Sequence, residues 1–303
     1  MIYLQRFDLM TQDDEEDYLS NFNRTCFDSY YPFQIFSYEK DLSHLEFEDI
    51  TIFCGGNGSG KSTLLNIIAE KLKLNRQTCF NKTYFFDHYL ECCDYELNTS
   101  DPVEIRELLM GSRIITSDDV FNHMIEVRHK NESLSFKREL IFEDKGRMRS
   151  YGGNYDDSRP RSINMDDPKS IKAYIDYCDK TRMSASKYVR KKIGIEERTY
   201  SNGENGFKYF TDAIQPGGLY LLDEPENSLS AEMQLELVQF LHGMSMDYNC
   251  QFILSSHSPF LLSMPNARIY NMDAEPVITC KWTDLPNVRI YHEFFLDHRF
   301  EFV

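Results

Sequence analysis

A glycine-rich octapeptide at residues 55–62, Gly-Gly-Asn-Gly-Ser-Gly-Lys-Ser, carries the residue types that bind phosphate groups. It matches G-x-x-x-x-G-K-[ST] at every fixed position, a pattern in which backbone N–H groups surround phosphates. We expect Lys61 to reach the β- and γ-phosphates as a point charge and Ser62 to bind Mg²⁺ through its hydroxyl. The residues predicted to line this loop are Gly55, Asn57, Gly58, Ser59, Gly60, Lys61, Ser62 and Thr63.

The segments on either side of this loop support the phosphate-binding interpretation. Residues 49–54 are β-prone, and residues 63–71 have the composition of a helix. A strand, a loop and a helix in this order direct the loop amides and a helix N-terminus at an anion. Glycines suit such a loop because it takes backbone angles that a Cβ would block. The alternative, a glycine-rich turn before an ordinary helix, is disfavoured because the motif and both flanks are complete.

A second candidate group lies at residues 218–224, where an apolar run ends in Asp223 and Glu224. A run without polar positions is typical of a central parallel strand that is buried on both faces. Its acids would then emerge at the carboxyl end of the strand, where such sheets bind ligands. We expect Asp223 to contribute to the Mg²⁺ shell and Glu224 to orient or deprotonate an attacking water.

Two further polar segments flank this acidic pair in the sequence. Residues 201–204 read Ser-Asn-Gly-Glu, and residues 251–256 form a strand-like run that is followed by His257. A single histidine at such a place is more often structural. In fixed order with the other three motifs, His257 becomes a candidate contact for a γ-phosphate.

The organisation of the chain favours one α/β fold with an insertion. Strand-like and helix-like segments alternate, which predicts a largely parallel sheet flanked by helices. We predict additional strands at residues 1–10, 30–36 and 82–89. The middle of the chain, about residues 86–196, looks like an inserted, largely helical lobe. Within it, residues 144–168 are rich in Gly, Asn, Asp, Ser, Pro and Arg, which predicts a flexible loop.

The four motifs in this order resemble the ABC-type ATPase superfamily. The likeness is closest to soluble members such as the recombination and chromosome-maintenance enzymes, and to small ABC-like proteins labelled AAA family ATPases. The resemblance covers about residues 1–85 and 197–303. It implies a single ABC-type ATPase domain over residues 1–303, with the P-loop NTPase fold. Its central sheet would be mostly parallel, with antiparallel β elements near the N-terminus.

The resemblance also implies roles for individual residues. Ser201, Gly203 and Glu204 match the signature motif, Asp223-Glu224 the Walker B motif, residues 225–230 the D-loop and His257 the switch histidine. The implied ligands are ATP and Mg²⁺, with Glu224, His257 and Lys61 as the catalytic residues. The implied assembly is an ATP-dependent head-to-tail homodimer. In it, Ser201 and Gly203 of one subunit would complete the ATP site of the other.

The chain departs from the family pattern at its signature motif and at its Q-loop. Asn202 replaces the first signature glycine, a change that soluble members tolerate. There is no glutamine between Gln77 and Gln215, the interval in which the superfamily places its Q-loop glutamine. Residues 117–119, Ser-Asp-Asp, are candidates for its role because a carboxylate can also serve a Mg²⁺ shell. The favoured interpretation of these three residues is a helix N-cap.

The aromatic residue that usually stacks on adenine is not evident in the sequence. Tyr31 and Phe33 are the candidates, and the favoured alternative places both rings in the hydrophobic core.

The charge of the chain is unevenly distributed. The 303 residues have a net charge of −16, which argues against nucleic-acid binding over the whole surface. Residues 131–200 differ, since they carry 16 Lys and Arg against 12 Asp and Glu. A solvated helix face and a contact for nucleic acid or an acidic protein effector are both open interpretations. The most basic part of this segment contains Arg182, Lys187, Arg190, Lys191 and Lys192.

The cysteine content and the absence of long apolar segments predict a cytoplasmic protein. The 8 cysteines show no C-x-x-C spacing, which is typical of reduced thiols rather than of a disulfide framework or zinc site. No stretch approaches the ~18–20 apolar residues of a membrane-spanning helix. The first residues also lack the basic and apolar regions of a signal peptide.

The sequence leaves three functional roles open. The first is a soluble ATP-driven switch or motor linked to nucleic-acid repair or defence. The second is a regulatory ATPase that controls a partner effector. The third is the nucleotide-binding subunit of a transporter, which would need a separate membrane chain.

Overall fold

A computed structural model of the protein describes residues 1–21, 27–150, 167–172, 174–175, 184–193 and 202–302. The chain forms two compact units, one made of Met1–Asn122 with Ser201–Val303 and the other of His123–Tyr200. Within the described ranges, none of the helices combines the length and the apolar character that a membrane crossing needs.

The described strands and helices are as follows. The strands are β1 Leu4–Asp8, β2 His44–Glu46, β3 Ile50–Cys54, β4 Asp94–Leu97, β5 Arg113–Thr116, β6 Gly218–Asp223, β7 Cys250–Ser255, β8 Arg268–Asn271 and β9 Ile278–Thr279. The helices are α1 Gln12–Asn21, α2 Lys61–Leu72, α3 Phe86–Cys92, α4 Pro102–Gly111, α5 Ser117–Ser150, α6 Ala185–Lys192, α7 Asn202–Ala213, α8 Ala231–Asp247, α9 Pro259–Leu262 and α10 Pro286–Asp297.

The main sheet is mostly parallel, as the sequence predicts. Its strand order is β5-β6-β7-β3-β8-β9, and all neighbouring pairs are parallel except β8 with β9. β3 and β7 are buried at every position, because the sheet is covered on both faces. The register places Thr116 beside Asp223 and Asp223 beside Ser255. Polar residues from three neighbouring strands therefore meet at the carboxyl edge of the sheet.

A second, three-stranded sheet supplies the antiparallel β elements. Its order is β2-β1-β4, with β1 antiparallel to both neighbours. Together with the parallel main sheet, this confirms the predicted α/β architecture, a mostly parallel central sheet with antiparallel β elements near the N-terminus.

The inserted unit begins later in the chain than expected. The sequence pattern predicts the lobe at about residues 86–196, whereas the compact unit in the structure starts at His123. The reason is strand pairing. β4 pairs with β1 in the small sheet, and β5 pairs with β6 in the main sheet, so both strands belong to the first unit.

Three local predictions are corrected by the structure. Residues 30–36 form turns and bends rather than a strand, and Phe33 and Phe36 pack in the core. Residues 86–89 of the predicted strand 82–89 belong to α3, because aromatic side chains at 85, 86 and 89 follow helical spacing. Residues 144–150 of the predicted flexible loop continue α5, in line with the helix propensity of Lys, Arg and Met. Residues 151–166 of that loop lie outside the described residues.

Candidate functional site

The loop after β3 has the backbone conformation that its glycines allow. Gly58 and Gly60 have φ values of 83° and 94°, in the left-handed region. A Cβ at Gly60 would lie 3.0 Å from side-chain atoms of both Ile35 and Phe36. At Gly58 no atom lies within 4 Å of such a Cβ. Gly60 is therefore required by both its backbone angle and its packing, and Gly58 by its backbone angle.

Lys61 is held inside this loop. Its side chain is 4% exposed, and Nζ donates hydrogen bonds to the carbonyl oxygens of Gly55 at 2.8 Å and Gly56 at 2.9 Å. No carboxylate forms an ion pair with Lys61 in the described part of the chain. Among the described residues, no carboxylate therefore neutralises the ammonium charge at this loop.

The same loop is contacted by two residues, Lys40 and Asp273, that belong to none of the sequence motifs. The backbone N–H of Gly56 donates to both carboxylate oxygens of Asp273, at 2.8 and 2.7 Å. Nζ of Lys40 donates to the carbonyl oxygens of Ser59 and Met272. Burial lowers the pKa of Lys40, while the charge of Asp273 opposes that shift. The loop is therefore held by the carboxylate of Asp273, which follows β8, and by Lys40, which also contacts Met272.

A hydroxyl and a carboxylate meet where α2 begins and β6 ends. Oγ of Ser62 donates to Oδ1 of Asp223 at 2.9 Å, and Oγ of Ser255 donates to the same oxygen at 2.5 Å. Burial raises the pKa of Asp223, although both hydrogen bonds act in the opposite direction. Oxygen ligands of this kind, one or two from protein with the rest from water and phosphate, suit Mg²⁺. No cluster of three or more His, Cys, Asp or Glu suited to a metal occurs in the described ranges.

Glu224 follows Asp223 in an uncommon backbone conformation. Its φ of 48° lies in the left-handed region, which non-glycine residues rarely adopt and which concentrates at functional sites. Its N–H donates to the carbonyl oxygen and Oγ of Ser255, at 3.1 and 3.0 Å. The side chain turns away from Asp223: Oε1 lies 3.1 Å from Nε2 of His257, and Oε2 accepts from Nδ2 of Asn227 at 2.8 Å. Both Glu224 and His257 remain accessible, with exposed side-chain fractions of 26% and 32%.

Comparison with known proteins agrees with this arrangement of motifs. Residues 209–263 match the family described as "AAA domain, putative AbiEii toxin, Type IV TA system", and this span contains Asp223, Glu224 and His257. The glycine-rich loop follows β3, the acids follow β6 and the histidine follows β7, which is the order that the sequence predicts for these motifs. The chain therefore resembles ABC-like ATPases, and the family model matches it over residues 209–263. The predicted resemblance to soluble ABC-like ATPases is thereby confirmed. No curated protein matches the chain.

Solved structures that are similar to this chain include two SMC head domains and one ATP-binding cassette. The Smc head domain from Pyrococcus furiosus, with an extended coiled coil and bound to the C-terminal domain of ScpA, is 13% identical with a TM-score of 0.45, covering 97% of this chain and 100% of that chain. The SMC head domain from Thermotoga maritima is 15% identical with a TM-score of 0.40, covering 92% and 99%. A dimeric ATP-binding cassette bound to ADP and Pi is 15% identical with a TM-score of 0.36, covering 78% and 88%.

The described residues that the sequence matches to a signature motif lie beside residues 225–230, the segment that it matches to a D-loop. Gly203 and Glu204 belong to the first turn of α7, whereas Ser201 lies outside the described residues. The atoms nearest to a Cβ at Gly203 belong to Met233, Ser230 and Ser228, at 3.5 to 3.8 Å. The start of α7 therefore packs against the end of the D-loop and the start of α8.

Residues 117–119, the candidates for the role of the Q-loop glutamine, lie at the N-terminus of α5. Oδ2 of Asp119 accepts from the backbone N–H of Thr116 at 2.7 Å and from its Oγ1 at 3.0 Å, a capping box for α5. Asp119 is 2% exposed, and its Oδ1 has no hydrogen-bond partner. Ser117 and Asp118 occupy the first turn. The favoured interpretation of residues 117–119 as a cap agrees with these contacts, and Thr116 is the residue beside Asp223.

The two aromatic candidates for adenine have different surroundings. Phe33 is 4% exposed and stacks on Tyr18 with ring centroids 4.9 Å apart, so it belongs to the core. Tyr31 is half-buried, and its Oη donates to Oγ1 of Thr63 at 3.1 Å. Burial raises the pKa of Tyr31. Tyr31 therefore contacts the phosphate-loop helix directly, while Phe33 does not.

The basic residues of the inserted unit are partly described. Lys187, Arg190, Lys191 and Lys192 are exposed positions of α6, and Arg182 lies outside the described residues. Tyr188 and Val189 form the buried side of this helix.

Proposed function

We propose that the chain binds Mg²⁺ and ATP at residues 55–63 and hydrolyses ATP to ADP and phosphate. The observation that carries this proposal is the hydrogen bond between Ser62 and Asp223. It joins the loop that holds Lys61 to the end of β6, where Glu224 lies 3.1 Å from His257.

Binding of the triphosphate would depend on the loop and the helix that follows it. The N–H groups of the loop and of the first turn of α2 would face the phosphates, and Lys61 would supply the positive charge. Ser62 and Asp223 would hold Mg²⁺, which neutralises phosphate charge when bound. Asn57, Gly58, Ser59, Gly60 and Thr63 complete the predicted contact set.

Hydrolysis would depend on Glu224 and His257. Glu224 would orient the attacking water and accept its proton, because its carboxylate is accessible and lies after Asp223. His257, whose Nε2 lies 3.1 Å from Oε1 of Glu224, would fix that carboxylate and contact the γ-phosphate. Most of the catalysis would come from positioning and charge stabilisation, as in other phosphoryl transfers.

We further propose that two copies share their sites head to tail. Ser201, Gly203 and Glu204 would complete the ATP site of a second copy. This proposal rests on the match of these residues to the signature motif.

The experiment that tests hydrolysis is phosphate release under saturating Mg-ATP. The unmodified chain is compared with Lys61→Ala, Glu224→Gln and the exposed-lysine control Lys281→Ala. We expect Lys61→Ala and Glu224→Gln to release phosphate at least about 100-fold more slowly than the unmodified chain. Loss of a general base or of charge stabilisation typically has an effect of this size. Equal rates in Glu224→Gln and the unmodified chain would contradict the proposed role of Glu224.

The cellular role that we propose first is a switch linked to nucleic-acid repair or defence, supported by the basic face of α6. The second candidate is control of a partner effector, favoured because the description of the matched family names a toxin of a toxin–antitoxin system.

A further inference from the structure

We infer that Glu226, a residue of the D-loop segment to which the resemblance gives no individual role, is a positioning residue that fixes His257 relative to Glu224. This inference rests on the proposed ATP hydrolysis. Glu226 lies in the 3-10 turn Pro225–Ser228 that follows the Walker B acids. It does not face the loop of Lys61; its carboxylate points to the turn that carries His257.

One carboxylate oxygen of Glu226 accepts three hydrogen bonds from three consecutive residues. Oε1 accepts from Oγ of Ser256 at 2.8 Å, from the backbone N–H of His257 at 2.6 Å and from the backbone N–H of Ser258 at 3.2 Å. Hydrogen bonds to a charged acceptor are stronger than neutral ones. The backbone of His257 is therefore fixed by a residue of the D-loop.

A second connection joins the same two segments. Oγ of Ser258 donates to Oε1 of Gln234 at 2.6 Å, and Nε2 of Gln234 donates to the carbonyl oxygen of Leu229 at 3.0 Å. The D-loop is thus tied to the His257 turn at Glu226 and again, through Gln234, at Leu229. A displacement of the D-loop would carry the histidine with it.

The environment of Glu226 is costly for a carboxylate. The residue is 9% exposed, its Oε2 is buried without a hydrogen-bond partner, and no Lys or Arg in the described ranges pairs with it. Burial accordingly raises the pKa of Glu226, against the effect of its hydrogen bonds. A buried carboxylate without a cation destabilises the fold unless its hydrogen bonds offset the cost. We attribute the role of Glu226 to the hydrogen bond that it accepts from the backbone N–H of His257.

The turn that carries Glu226 contacts both Glu224 and His257. Its neighbour Asn227 donates to Oε2 of Glu224, while Glu226 itself holds His257, whose Nε2 faces Oε1 of Glu224. One short turn therefore sets the carboxylate and the imidazole at once. A shift of about 1 Å between such groups can cost roughly 100-fold in rate.

Two variants separate the reach of the side chain from its charge. Glu226→Gln keeps an oxygen at the same reach and removes the charge, whereas Glu226→Asp keeps the charge and withdraws it by one methylene. The matched control is Glu232→Gln, an exposed glutamate in the first turn of α8.

The first readout is amide hydrogen exchange by NMR in nucleotide-free protein. We expect the His257 amide to exchange at least about 10-fold faster in Glu226→Asp and to stay protected in Glu226→Gln. The Ser256 amide, which donates to the carbonyl oxygen of Phe53, is an internal control that should stay unchanged. Unchanged exchange at His257 in Glu226→Asp would overturn the inference, whether or not the chain hydrolyses ATP.

The second readout is the division between ATP affinity and turnover. We expect Glu226→Asp to lose about 10- to 100-fold in kcat with ATP affinity within about 2-fold, and Glu226→Gln to retain most of its turnover. A Gln variant as slow as the Asp variant, or an Asp variant at the unmodified rate, would overturn the inference. If the unmodified chain shows no turnover, the proposed hydrolysis fails and the exchange experiment still decides the role of Glu226.

Discussion

Oγ of Ser62 donates a hydrogen bond to Oδ1 of Asp223 at 2.9 Å, although the two residues are 161 positions apart in the chain. The contact joins the first turn of α2 to the carboxyl end of β6. It places a hydroxyl and a carboxylate where Mg²⁺ would meet the phosphates of ATP.

Removal of the Ser62 hydroxyl should separate Mg²⁺-dependent from Mg²⁺-independent binding. We expect Ser62→Ala to weaken ATP binding by about 10-fold or more with Mg²⁺ present, equivalent to about 1.4 kcal/mol. In EDTA the variant and the unmodified chain should bind ATP alike, because the hydroxyl then has no metal to contact. Titration calorimetry checks this, with Ser263→Ala as the exposed-serine control. Equal affinities in Mg²⁺ would remove Ser62 from the metal site.

The buried carboxylate of Asp223 should make stability depend on pH. Burial raises its pKa above the ordinary value of 3.8, so its stabilising contribution is present below that value and is lost as pH rises through the folded pKa. Asp223→Asn should therefore unfold at a higher temperature than the unmodified chain at pH 7 in EDTA. The difference should shrink towards pH 4.

Thermal unfolding across this pH range measures the effect of Asp223→Asn, and Asp297→Asn, at an exposed carboxylate, is the matched control. A constant difference across the range would show that the charge of Asp223 is not the cause. A lower unfolding temperature at pH 7 would show that its hydrogen bonds outweigh its burial.

The phosphate-loop glycines should differ in their cost of substitution. Gly60→Ala combines a positive φ with a Cβ 3.0 Å from Ile35 and Phe36, whereas Gly58→Ala has a positive φ and open space. We expect losses in unfolding free energy of about 2–3 kcal/mol for Gly60→Ala and about 1 kcal/mol for Gly58→Ala.

Urea unfolding compares these loop variants with Gly243→Ala, at a glycine in α8 where an added Cβ would have no atom within 4 Å. There, alanine should gain about 0.5–1 kcal/mol because glycine is unfavourable inside a helix. The reverse order of the two loop variants would contradict the packing described for Gly60.

The basic face of α6 should decide between the two proposed cellular roles. If the ATPase is linked to nucleic acid, DNA should stimulate phosphate release, and Lys187→Glu with Arg190→Glu should abolish that stimulation. Lys169→Glu with Lys172→Glu, exposed lysines of the same unit, is the charge-matched control. Absence of any DNA response would favour control of a partner effector, and stimulation that survives in the α6 variant would exclude this face as the contact.

The location of the candidate site in the fold can be predicted from local motifs at strand ends. Lys61, Ser62, Asp223, Glu224 and His257 each lie at or just beyond the end of a buried strand or in the loop and helix that follow it. Because neighbouring parallel strands end at one edge, their proximity follows from the fold class.

The contacts that the sequence does not reveal join segments without a shared pattern. Asp273 reaches Gly56 from 217 positions away, and Glu226 reaches the His257 turn through its side chain. Neither residue has a spacing signal of its own. The start of the compact inserted unit differs from the predicted boundary for a similar reason, since β4 is four residues long and half-buried, too short for a clear alternating pattern.

The most direct test of the shared ATP site is to measure the molar mass of the Glu224→Gln variant by light scattering, with and without Mg-ATP. Glu224→Gln should bind ATP without hydrolysing it, so the shared-site arrangement should accumulate. We expect a dimer with Mg-ATP and a monomer without it, and a monomer in both states when Lys61→Ala is added. A Glu224→Gln chain that binds ATP and stays monomeric would contradict the head-to-tail dimer.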